Sequence, residues 1–215
     1  MKLPTLRSAL WFGARFACVL ALLMAPWPGL GEAYGALVTK LGNVLLSCFE
    51  QSRAHLEFGL PDAAEPSAFT SVLRARDLAS GLALQIPIEL RTLTFLPTST
   101  FIALVLAGSV GRAVRRSALQ LFAGLALLQL FLVSSLLVPI CLFFAEPRPM
   151  QLLHMSTLVY GVLTIFHRAL VAPPGMAYAI PLMLWLTLGA LERACSGGSA
   201  LACAAAKASG EGSVG

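Results

Sequence analysis

Four stretches of the chain are apolar and free of charge: residues 16–30, 92–111, 117–145 and 176–191. A helix needs about 20 mostly apolar residues to cross about 30 Å of hydrocarbon. The pattern therefore predicts four membrane spans. The first extends back toward Ala9 if Arg15 snorkels to the interface. The third is longer than a span requires and contains Pro139, which predicts a tilt or a kink. The fourth carries Trp185 and is closed by Glu192 and Arg193. Two further stretches are apolar but striped. Glu32, Gly35, Thr39, Asn43, Ser47 and Glu50 recur at steps of three and four, as do Gln151, His154, Thr157, Gly161, Thr164 and Arg168. Each stripe marks one face of a helix and predicts an amphipathic helix lying in the outer interface. For the second stripe the alternative is a short additional span over residues 152–166.

Only residues 51–91 read as a segment made for water. Leu82, Leu84, Ile86, Ile88 and Leu90 alternate there with Ala83, Gln85, Pro87, Glu89 and Arg91. A period of two is a strand with one packed face. Pro87 has no N–H for a ladder and predicts an edge position. Residues 69–76 supply a partner strand, joined through residues 77–81, so the expected unit is a β-hairpin. A lone hairpin is marginal in water and needs something to pack on. The expected fold is an all-α membrane protein: a four-helix transmembrane bundle with two interfacial amphipathic helices and a small extracytoplasmic β-hairpin. The chain divides into an N-terminal region and first span (1–31), an outer helix and hairpin (32–91), a transmembrane hairpin (92–145), a second interfacial helix (146–172), a last span (173–193) and a small-residue tail expected to be disordered (194–215).

Composition sharpens this picture. Apolar residues make up 58% of the 215 positions and charged residues 12%, about half the charge of a soluble domain. The net charge of +5 would suit nucleic acid, but its distribution excludes that partner. Arg7 and Arg15 precede the first span with Lys2, and Arg112, Arg115 and Arg116 sit between the second and third. Such clusters stay on the cytoplasmic side of a membrane. Both ends of the chain are then expected inside, the hairpin outside, and the lipid bilayer is the first partner. Residues 1–35 also fit a cleaved signal peptide ending at Ala33-Tyr34-Gly35, but Pro26-Trp27-Pro28-Gly29 fits better as an interfacial stop to an uncleaved span.

Candidate chemistry is sparse. The spans hold no charged residue, which argues against an ion-coupled transporter. Ser109, Gln120, Gln129, Ser134, Ser135 and Thr187 are expected to serve hydrogen bonds between helices. The five cysteines form neither a CxxC motif nor a metal-ligand spacing, so no metal or cofactor is expected. Cys141 stands near the outer end of the third span, Arg148 follows seven residues later, and His154 lies in the next helix. A thiolate held by an arginine and served by a histidine base is the minimum for cysteine transpeptidation. Cys48, Arg53 and His55 form a second such group. The competing reading makes Cys141 apolar filler and Arg148 and His154 interfacial anchors. Arg74, Arg76, Glu89 and Arg91 are expected as cross-strand pairs on the hairpin's exposed face, where with Leu84 they would meet a membrane or periplasmic protein partner.

A first span ending in APWPG, an outer amphipathic helix, an outer hairpin and the Phe95-Leu96-Pro97-Thr98 run into a span together resemble the small bacterial membrane proteins found with exosortases. The resemblance covers residues 9–190 and is one of architecture. It implies a multi-pass protein of the bacterial inner membrane with a non-enzymatic accessory role in surface-protein sorting or envelope export. Exosortases themselves use an outward-facing Cys, Arg and His on widely separated helices. Cys141 and Arg148 are too close in sequence to match that pattern, so no catalytic residue is carried over.

Overall fold

The computed structural model describes residues 6–47, 54–59, 69–77, 81, 83–109, 114–146, 153, 155–173, 175, 176 and 178–191. Six helices and three strands follow in order: α1 (Leu6–Met24), α2 (Leu30–Leu46), β1 (Ala54–Gly59), β2 (Thr70–Asp77), β3 (Ala83–Glu89), α3 (Leu96–Gly108), α4 (Val114–Ala145), α5 (Thr157–Phe166) and α6 (Tyr178–Leu191). Three of these helical segments are long and apolar enough to cross a membrane: Leu6–Met24, Arg91–Gly108 and Val114–Ala145. The fourth expected span, α6, falls short of that length within the described residues.

The chain stops α1 where the sequence placed a stop, though earlier than residue 30. Its last carbonyls lack partners within the helix, and the Trp27 indole N–H donates to the Leu22 carbonyl at 2.8 Å. Gly29 then takes φ 77°, and α2 starts at once. A left-handed turn of this kind favours glycine.

The expected hairpin is a three-stranded antiparallel sheet in the order β1-β2-β3. β1 is the addition. Its alternation of Leu56 and Phe58 with His55 and Glu57 is too short to stand out in the sequence. Pro87 does lie on an edge strand, opposite Val72. Ile86 and Ile88 with Leu73 and Ala75 form the packed face. β3 then runs into α3 without a loop, and the Leu90 N–H bonds the Phe69 carbonyl at 2.8 Å. Residues Arg91–Phe95 make a π-turn. Pro97 follows within two residues and has no N–H to give the turn before it, and the wider turn is how the helix absorbs it. A second π-turn, His167–Val171, closes α5 just before Pro173 in the same manner.

The stripe of α2 is turned the other way from the expectation. On α2, Gly35, Val38, Gly42 and Leu46 are buried, whereas Leu37, Leu41 and Val44 are exposed. Thr39 and Asn43 of the polar stripe face the sheet, within hydrogen-bond distance of Ser71 and Phe58. A helix that shows Leu37, Leu41 and Val44 outward and holds Thr39 and Asn43 toward the sheet suits an apolar surrounding, with Glu32 and Lys40 exposed beside them. α5 buries none of its residues: Leu158, Val162 and Ile165 are exposed, as are Thr157 and, just beyond the helix, Arg168 of the polar stripe, while Leu163 packs against the core. The tail and the start of the second stripe lie outside the described residues.

The apolar interior has two parts. Phe101, Val105, Leu128 and Leu132 join α3 to α4, with Leu184 and Leu188 of α6 against them. The second part joins the inward face of the sheet to α2 and to the last third of α4, through Val38, Phe58, Leu73, Leu90, Leu137, Cys141 and Phe144. α4 is 32 residues long, so it serves both.

Candidate functional site on the outer face of the sheet

An antiparallel ladder sends alternate residues' backbone groups to opposite sides. In β1 the Phe58 N–H donates to the Asn43 Oδ1 at 2.7 Å, and the Asn43 Nδ2 donates to the Phe58 carbonyl at 3.0 Å. Both backbone groups of Phe58 therefore point away from β2, and a helix side chain caps that edge at this residue. The neighbouring Gly42 makes room for it: a Cβ there would lie 2.7 Å from the Phe58 ring.

The same alternation carries across the sheet. Phe58 stands opposite Leu73, and Leu73 opposite Ile86. Ile86 thus turns its backbone toward β2, and Ala83, Gln85, Pro87 and Glu89 turn theirs to the free edge of β3. The missing N–H of Pro87 falls on that edge, where it breaks no ladder bond. Among the described residues no strand pairs with β3 on this side.

The outer face is polar. Register places Arg74 between Glu57 and Gln85, and Arg76 between His55 and Ala83. Glu89 stands opposite Thr70, not opposite either arginine, so the expected Glu89–arginine pairing is replaced by Glu57 and His55 of the strand not foreseen. The His55 Nε2 lies 3.6 Å from the Glu57 Oε2, both side chains about half exposed. Arg76 and Glu89 are exposed and Arg74 is partly covered. Leu84 belongs to the opposite, packed face and is half-buried against the core. Gln85 is exposed and is the residue on this face that sequence reasoning passed over; its place in the period-two pattern was the available signal.

Cys141 is 1% exposed and packs in the apolar cluster between α4 and the sheet. A thiol so placed behaves as a small hydrophobe. Arg148 and His154 lie outside the described residues, as do Cys48 and Arg53. No group of three or more metal-ligating side chains occurs among the described residues.

Of the polar span residues, Gln129 does bridge helices. With its proton on the Thr94 carbonyl (2.7 Å), the Thr98 Oγ1 accepts from the Gln129 Nε2 at 2.8 Å and stands 3.1 Å from the Tyr34 hydroxyl. This buried triad ties α2, α3 and α4 together, and it saturates the threonine oxygen. Ser109, Ser135 and Thr187 instead bond carbonyls of their own helices.

The arginines expected to fix topology gather at one end. Arg7 and Arg15 on α1 line a groove with Ala107 and Gly108 at the C-terminal end of α3, and Arg115 and Arg116 are exposed in the first turn of α4. Arg112 lies outside the described residues. The sheet enters α3 at the other end, 18 residues away, which is about 27 Å at 1.5 Å per residue. That is close to the thickness of a hydrocarbon core. Compared with known proteins, the chain matches no family model, no curated protein and no solved structure.

Proposed function

We propose that this chain is a non-enzymatic, multi-pass protein of the bacterial inner membrane that holds a small sheet on the outer side and offers its β3 edge to an extended segment of a protein partner. The observation that carries the reading is the asymmetry of the two sheet edges. Asn43 occupies the backbone groups of Phe58, near the C-terminal end of the β1 edge, whereas the β3 edge has no partner strand among the described residues. Pro87 and Glu89 limit pairing along this edge, so an added strand would bond chiefly through the backbone of Ala83 and Gln85, with main-chain bonds for affinity and side chains for selection. Arg74, Arg76, Gln85 and Glu89 would contact the partner's side chains, and Leu84 would support the strand from behind. The separation of the arginine end from the sheet supports a cytoplasmic and an outer side. Burial of Cys141 favours this reading over a thiol enzyme. On the sequence resemblance, the partner would belong to surface-protein sorting or envelope export.

A photoreactive amino acid at Gln85 tests it in cells. A specific protein adduct is expected from Gln85 and none from Val44 on the exposed face of α2. In the chain that carries the probe at position 85, Ala83→Pro removes an N–H from the free edge only and should abolish the adduct while the protein still accumulates in the membrane. Adducts to lipid alone, or a full adduct from the proline variant, would overturn the proposal.

A further inference from the structure

We infer that the groove between α1 and α3 is a binding site for the phosphate of an anionic glycerophospholipid. Arg7, Ser8, Trp11, Phe12 and Arg15 recur at steps that put them on one face of α1, and this face meets Ala107 and Gly108 of α3 around a cavity of about 470 Å³. Two guanidinium groups thus flank an aromatic wall. The Arg15 guanidinium carbon lies 5.8 Å from the Trp11 ring centroid, so a cation–π contact holds it over that wall. Gly108 lets the Trp185 ring of α6 pack behind the floor. A Cβ on Gly108 would come within 3.1 Å of the Trp185 ring, and 3.4 Å of its Nε1. That buried indole N–H has no hydrogen-bond partner among the described residues.

The chemistry selects the ligand. A guanidinium fork matches the oxygens of a phosphate, and the exposed arginines of α4 add to the positive field at the same end. The groove sits where a long apolar helix ends in arginines, the depth of a headgroup. α1 buries none of its residues within the fold, so the acyl chains of a lipid held here have an apolar helix to lie along. Basic pockets between helices on the cytoplasmic side take anionic headgroups for this reason. A soluble phosphate offers the same oxygens without the chains.

The test uses the full chain in phosphatidylcholine vesicles doped with a photoactivatable phosphatidylglycerol, or with the matching photoactivatable phosphatidylcholine. Adducts are mapped by mass spectrometry. The anionic probe is expected to label the α1 and α3 segments around the groove at least about fivefold over the zwitterionic one. Arg7→Gln with Arg15→Gln should reduce this to the phosphatidylcholine level, Arg7→Lys with Arg15→Lys should keep most of it, and Arg91→Gln at the other end of α3 should leave it unchanged. Equal labelling of the unmodified chain by the two probes would overturn the inference, whatever the variants do. Displacement of the lipid by millimolar inorganic phosphate, but not by chloride of equal ionic strength, would identify a soluble phosphate as the occupant and overturn the lipid assignment.

Discussion

Asn43 does with one amide what a strand does with a backbone. It gives a donor and an acceptor to Phe58 at 3.0 and 2.7 Å, beside a glycine that admits the ring. Asn43→Ala would leave both backbone groups of Phe58 without protein partners, and thermal unfolding in detergent should show a loss of about 1–3 kcal/mol. Gly42→Ala drives a methyl into the Phe58 ring and should cost about as much. At the buried triad, Gln129→Leu combined with Tyr34→Phe should show a coupling of about 0.5–2 kcal/mol in a double-mutant cycle, in line with hydrogen bonds between membrane helices. Independent effects would mean that the three side chains do not act as a unit. Asn43 and Thr39 were legible as a stripe. Their direction was not, because a stripe reports only that one face differs, and the solvent decides which face turns inward. Phe101 presses on Gly124 closely enough that a Cβ there would clash with the ring. That demand is invisible in a sequence where every neighbour is apolar.

The elements show the same division. The alternation in β3 and the edge position required by Pro87 could be read directly, since a period of two and a missing N–H are local properties. β1 could not, because six residues with two apolar positions match many loops. What makes them a strand is the inward face formed with Leu73 and Ile86 and the cap from α2. The sheet should therefore depend on the helices. A peptide of residues 51–91 is expected to be unfolded in water by circular dichroism and by amide chemical-shift dispersion, since its apolar face has nothing to cover it. A folded, monomeric peptide would show that the sheet is an independent unit. The π-turns before Pro97 and Pro173 were foreshadowed only as prolines near helix ends. The choice between a kink, a break and a wider turn belongs to the packing around them.

For the molecule as a whole, the arginines and the sheet lie at opposite ends of the helical segment Arg91–Gly108, about 27 Å apart, and α2 and α5 expose apolar side chains. Charge placement and run length made the membrane character plain from the sequence. Neither specified how α6 and α5 sit, since lengths near the limit of a span fit more than one arrangement. The candidate site was half legible: Arg74, Arg76 and Glu89 were named and Gln85 stood in the visible alternation, while Glu57 and the Asn43 cap on β1 required the register. Everything proposed for the sheet requires that it and the arginines face different compartments. The most direct measurement is labelling by a membrane-impermeant maleimide in spheroplasts, with the five native cysteines replaced by serine and single cysteines introduced as Gln85→Cys or Arg115→Cys. The account predicts that Gln85→Cys reacts in intact spheroplasts and Arg115→Cys only after permeabilisation. Reaction of both from the same side would contradict it.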